Sequence, residues 1–255
     1  MKKSIMVLFS MLAGSMVMGQ QGSNGFLLAG SVIYQQTTKL DIQLEGDAAQ
    51  FAHAMPKERK SEKVLHFSEE TALFENHHSD DPEEAIDMDG GGTMMIKMVE
   101  PDDKVYTDLE NKLQIEQKEF MSRIFLIESD WKKIAWKITG DQKMILEYPC
   151  QEAVIEEEGK MVQAWFTPKI SIAAGPGKYG NLPGLILAVD INDGEQIIEA
   201  VSIDLKPVDA ELLKRPRKGK KVTEEEYHAI VEEKMKEMGA EGGGGGHTIM
   251  IKIKQ

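Results

Sequence analysis

One cysteine, Cys150, stands in the 255 residues of the chain. An intrachain disulfide is excluded, so in an oxidising compartment the fold must rest on its apolar core. No histidine or basic residue stands beside Cys150 to lower its pKa, and a small buried hydrophobe is the expected role. Positive charge is scarce: 30 Lys and Arg face 43 Asp and Glu, a net charge of −13. Such a balance argues against a nucleic-acid partner, which needs clustered positive potential. Long apolar runs are lacking too. The run "SIMVLFSMLAGSMVMG" covers about fifteen residues, whereas a membrane-spanning helix needs roughly 20. G-x-S-x-G, H-E-x-x-H and comparable nucleophile motifs are missing, and no carboxylates pair at a diagnostic spacing. The chain is therefore expected to be non-catalytic, and its sequence implies no cofactor.

What is present begins with Lys2 and Lys3 ahead of that apolar run, which exits through small residues at "QQGSNG". This is the pattern of a secretory signal peptide over 1–19, with cleavage after Gly19 and a periplasmic or secreted product. No Cys follows the run, which excludes a lipid anchor on an N-terminal Cys, and no transmembrane segment is expected in the mature chain.

Residues 20–238 read as a single β-rich domain. "GFLLAGSVIYQQT" opens it, "KVLHF" and "TALFE" have strand length, and 104–169 is a meander of short apolar runs separated by turns such as "TGDQ" and "EEGK". Frequent turns favour an antiparallel sheet. "LILAVDI" and "EQIIEAVSIDL" form a hairpin across Asn192, Asp193 and Gly194, because Asp-Gly tolerates the positive φ angles of tight turns. Residues 46–60 can hold a short helix ended by Pro56. A long helix is expected in "VTEEEYHAIVEEKMKEMG": Thr223 and Glu226 make a capping box, and Tyr227, Ile230, Val231, Met235 and Met238 form one apolar stripe. An acidic mobile loop (76–92), a glycine-rich tether (239–247) and a strand-like tail (248–255) complete the organisation.

The stretch "GPGKYGNLPGLILAVD" (175–190) contains a G-x-G-x-x-G spacing. In a dinucleotide site those glycines follow a strand and open a helix. Here Pro176 and Pro183 oppose a helix and a strand follows, so the match is accidental. The glycines and prolines predict a rigid excursion instead. "NLPGLILAVD" resembles the signature of the GLPGLI family of exported Bacteroidetes proteins, with Asn181 in place of the first glycine. The likeness runs through Trp136, Tyr148, Cys150, Ala153, Gly159, Trp165, Thr167, Pro168 and the motif loop Gly175, Pro176, Gly180, Asn181, Leu182, Pro183, Gly184, Leu185 and Ile186. It covers roughly 104–205. That family has no established function, so the resemblance implies location and fold and carries over no catalytic residues. By analogy the pattern also resembles the half-barrels of lipoprotein carriers, whose curled antiparallel sheet encloses an apolar cavity. The expected fold class is thus mainly β (α+β): a curved, half-barrel-like antiparallel sheet against one long C-terminal helix, with Trp136, Trp165 and Tyr148 as candidate cavity lining.

The leading functional expectation is a binding or carrier protein that presents an apolar concavity to a lipid, a peptide or an outer-membrane protein segment. A metal-handling alternative for copper, zinc or nickel uses His77, His78, Met94 and Met95 within 77–98, where imidazole and thioether ligands suit those ions. A third class is an accessory that lends its tail strand to an outer-membrane transport partner. The basic run 213–221 stands apart in an acidic chain; its sharper reading is contact with lipid headgroups or an acidic protein loop.

Overall fold

A computed structural model describes residues 28–43, 56–77, 84–88, 92–96, 100–131, 133–241 and 250–252. The expected signal peptide, most of the expected 46–60 helix, residues 242–247 of the tether and His78 lie outside these residues, while residues 239–241, read as the start of the tether, continue the C-terminal helix. Twelve strands form one open, curved sheet. At its centre is β1 (Gly30–Lys39), with β3 (Glu58–Phe67) on one side. Beyond β3 come β4 (Thr71–Asn76), β7 (Lys104–Asp108), β8 (Leu113–Phe120), β9 (Arg123–Asp130) and β15 (Lys220–Val222). On its other side lie β14 (Gln196–Asp204), β13 (Leu185–Ile191), β12 (Lys160–Thr167), β11 (Tyr148–Glu157) and β10 (Lys137–Ile145). Every pairing is antiparallel except that of β15 with β9.

The hairpins obey the local rules read from the sequence. Between β13 and β14, Asn192, Asp193 and Gly194 have φ of 52°, 54° and 78°. Glu158 and Gly159 turn β11 into β12 the same way, at 52° and 77°. Two short ribbons stand outside the sheet. β5 (Glu84–Met88), inside the 76–92 stretch read as an acidic loop, pairs with β6 (Gly92–Ile96), which begins at the last residue of that stretch. The tail does contain a strand, β16 (Met250–Lys252), and its partner is β2 (Asp41–Gln43) rather than an edge of the sheet.

The curvature has a topological cause. β9 and β10 follow one another in the chain but stand ten strand positions apart in the sheet. In a flat sheet that separation is about 48 Å at the usual strand spacing. The link from Asp130 to Lys137 spans seven steps, about 25 Å even when fully extended. The two wings must therefore curl towards each other. They share one core: Val32, Leu65, Phe67 and Phe74 of one wing pack in the same cluster as Ile145 and Cys150 of the other, with Trp131 of the link among them.

Helix α1 (Glu224–Glu241) starts with the expected capping box. The Glu226 N–H donates to Thr223 Oγ1 at 3.1 Å, and the Thr223 N–H donates to Glu226 Oε2 at 3.0 Å. Its apolar stripe is only partly used. Tyr227 and Ile230 pack on Phe125, Ile127 and Val222, whereas Met235 is 47% exposed. From Glu232 to Glu237 the helix side chains are exposed apart from half-buried Lys234.

Candidate functional site

The space between the wings is filled by the chain itself. Residues 168–184 leave β12 and return to β13, and their side chains enter two core clusters. Ile170, Ile172 and Ala174 join the cluster of Val32 and Leu187; Tyr179 and Leu182 join that of Phe166 and Ile186. Five consecutive residues of β13, Leu185 to Val189, are consequently buried. Tyr34, fully buried in β1 two strands away, donates its hydroxyl to the Ile186 carbonyl at 2.7 Å. Burial alone raises the pKa of that hydroxyl, so it stays a neutral donor. Removing only the hydroxyl, in Tyr34→Phe, is expected to destabilise the fold by about 1–2 kcal/mol in urea unfolding, the cost of a lost buried hydrogen bond.

The motif loop is thus a packing device. Gly175 lies against the Ile186 side chain and Gly180 against the Trp131 ring, while Asn181 adopts a φ of 65° and donates its N–H to the Ala173 carbonyl at 3.0 Å. Pro176 is buried and Pro183 exposed. The three aromatic residues expected to line a cavity are packed instead. Trp136 donates to the Gly180 carbonyl at 2.8 Å and stacks obliquely on Tyr179. Trp165 and Tyr148 are half-buried against the main core, and the Lys143 ammonium sits 4.5 Å from the Trp165 ring centroid. Cys150 is buried, and burial pushes its thiol up to about 11, which leaves it a protonated hydrophobe at neutral pH. His77 lies 4.0 Å from Glu62. Met94 and Met95 fall in β6. Among the described residues no three His, Cys, Asp or Glu side chains gather as metal ligands.

An open pocket does exist, away from these residues. After β14 the chain crosses one face of the sheet as a strap: a 3-10 turn at Ala210–Leu213 rests on β3 and β4, and Leu213 packs on Leu73, Tyr106, Ile115 and Leu126. Register places Leu73, Tyr106, Ile115 and Glu128 in one row across four strands, with Leu126 on the same face. The strap then turns into the basic run and enters β15. Between strap and sheet lies a pocket of about 430 Å³, lined by Ile115, Leu126 and Val222 below and by Glu128, Arg215, Pro216, Arg217, Lys221 and Thr223 around it. Arg215 is matched by Glu128 at 2.6 Å. Arg217 and Lys221 have no acidic partner among the described residues. Gly219 holds the strap close: with φ of 134°, a Cβ there would stand 2.9 Å from the Ile124 carbonyl oxygen. The basic run was visible in the sequence. Its apolar floor was not, because Ile115 and Leu126 have the alternation of any strand.

The pocket, the strap and the curled sheet define a β-sheet protein with an open amphipathic site. A family model described as a protein of unknown function (Porph_ging) matches residues 155–188, a span that includes the NLPGLI motif. No curated protein matches the chain. Among solved structures the chain is similar to PNGF-II, in a P21 crystal form at 16% identity and TM-score 0.53, over 80% of this chain and 33% of that one. A C2 form of PNGF-II gives TM-score 0.52, also at 16% identity, over 80% of this chain and 32% of that one. This chain thus spans about a third of that protein's length, and the likeness is one of fold.

Proposed function

We propose that this is an exported, non-catalytic binding protein of GLPGLI type, and that its ligand site is the pocket beneath the strap. The observation that carries this reading is an apolar floor left open under the strap, while the space between the two wings is packed by residues 168–184. Burying apolar surface supplies roughly 25 cal/mol per Å² before association costs, and a pocket already shaped by Gly219 and Leu213 lowers those costs. The signal-peptide pattern supports the export part of the reading, and the NLPGLI motif, which falls inside the span matched by the family of unknown function, supports the family part. The pocket brings no nucleophile and base together, which favours binding over chemistry.

Native mass spectrometry on protein purified after export tests this. The expected result is a bound apolar species of small mass that organic solvent releases. Filling the floor with Leu126→Trp should weaken retention about tenfold while thermal unfolding confirms a folded chain. Protein that is always ligand-free, from several growth conditions, would overturn the reading.

A further inference from the structure

Charge at the pocket narrows what it binds. The inference rests on the binding reading above: we infer that the ligand is a free, single-chain anionic amphiphile, its apolar chain on Ile115 and Leu126 and its acid group held by Arg217 and Lys221. The chain as a whole is strongly acidic, yet three of the pocket's nine lining residues are cationic and one is acidic. Glu128 already neutralises Arg215 at 2.6 Å. The other two cations are left to face solvent at the mouth of an apolar site, where a low-dielectric wall focuses their field. An incoming carboxylate or phosphate meets them as a charge-assisted hydrogen-bond acceptor, and a guanidinium suits either group.

The size of the site agrees. About 430 Å³ lies within the roughly 300–1,000 Å³ range of small-ligand pockets. The site is also built in advance. Pro216 stiffens the strap between the two arginines, the Leu213 side chain anchors one end, and Gly219 fixes the other against Ile124. No ordering of the basic run has to accompany binding. The acids nearby are Glu128 and Asp108, both next to Arg215, and Glu224, Glu225 and Glu226 in the first turn of α1, of which Glu226 is engaged in the capping box with Thr223 and Glu224 and Glu225 have interactions of their own. Both Arg217 and Lys221 are exposed, so they can be altered without touching the core.

Isothermal titration with four probes tests the inference on the full chain: dodecanoate, dodecyl phosphate, dodecanol and dodecyltrimethylammonium, alongside vesicles with and without an anionic phospholipid. Dodecanoate and dodecyl phosphate should bind at least tenfold more tightly than dodecanol, and the cationic probe should bind weakest. From octanoate to dodecanoate each added methylene should tighten binding roughly three- to fourfold until the pocket is full. The Arg217→Glu/Lys221→Glu variant should lose about tenfold for the two anions and nothing for dodecanol, which separates lost charge recognition from a damaged fold. Equal affinity for dodecanol and dodecanoate would overturn the anionic assignment and leave the binding reading standing. So would an unchanged affinity in the variant. Binding to anionic vesicles without binding to free dodecanoate would overturn the free amphiphile in favour of a membrane surface. If none of the probes binds, both inference and binding reading fall.

Discussion

Gly184→Ala is expected to lower stability by at least about 3 kcal/mol, which for a domain of this size lowers the melting temperature by roughly 6–12 °C. Gly184 ends the 168–184 loop with φ of 154°, and a Cβ built on it would stand 2.1 Å from the Thr167 carbonyl oxygen. The Thr167 carbonyl and the Pro168 Cα, 3.0 Å from that Cβ, are not flexible side chains that can turn away. Both are backbone, and the strand pairing that Thr167 and Leu185 make with each other holds them in place. Gly177→Ala is the internal control. Its φ of 61° is also positive, but a Cβ there meets nothing within 4 Å, so only the conformational cost of about 1–2 kcal/mol applies. Thermal unfolding of the two variants by circular dichroism separates the terms. If Gly184→Ala melts within 2–3 °C of the parent, about the shift of a 1 kcal/mol change, the loop gives way and is not the rigid device described.

Phe166→Ala is expected to be comparably damaging, at about 3–5 kcal/mol in urea unfolding, with an unchanged m-value. The ring is fully buried on β12, where Tyr179 and Leu182 of the loop close over it beside Ile186. Truncation removes apolar contacts and leaves a void that loop residues tied by the Trp136–Gly180 and Asn181–Ala173 hydrogen bonds cannot follow inward to fill. A loss below about 2 kcal/mol would mean that the loop collapses onto the gap and packs less tightly than its burial implies.

The parts of the fold that could be read from the sequence are those whose causes are local. Asp193-Gly194 specified a hairpin, Thr223 with Glu226 specified a helix start, and short alternating runs specified strands. Strand order was not legible in the same way. Nothing in "SVIYQQT" announces that β1 will sit in the middle of the sheet with β14 on one edge and β3 on the other, because pairing over such distances is chosen by the whole core. The helix stripe misled for the same reason: Met235 has the right spacing but is exposed. At the candidate site the cations of 213–221 stood out against the acidic composition, while Ile115 and Leu126 became a pocket floor only when the strap crossed above them. Trp136, Trp165 and Tyr148 carried no signal that could distinguish a wall of a cavity from filling, and here they are filling.

The central position of β1 also sets the order in which the molecule can be made. Its partner β14 begins more than 150 residues later, and Tyr34 waits for a carbonyl 152 positions downstream. A ribosome releases the keystone strand early and its second neighbour late, so the two halves cannot lock together until most of the polypeptide has emerged. Such non-local closure is slow. It leaves the nascent chain pliable for longer, a useful property in any protein that must be threaded through a narrow channel before it folds.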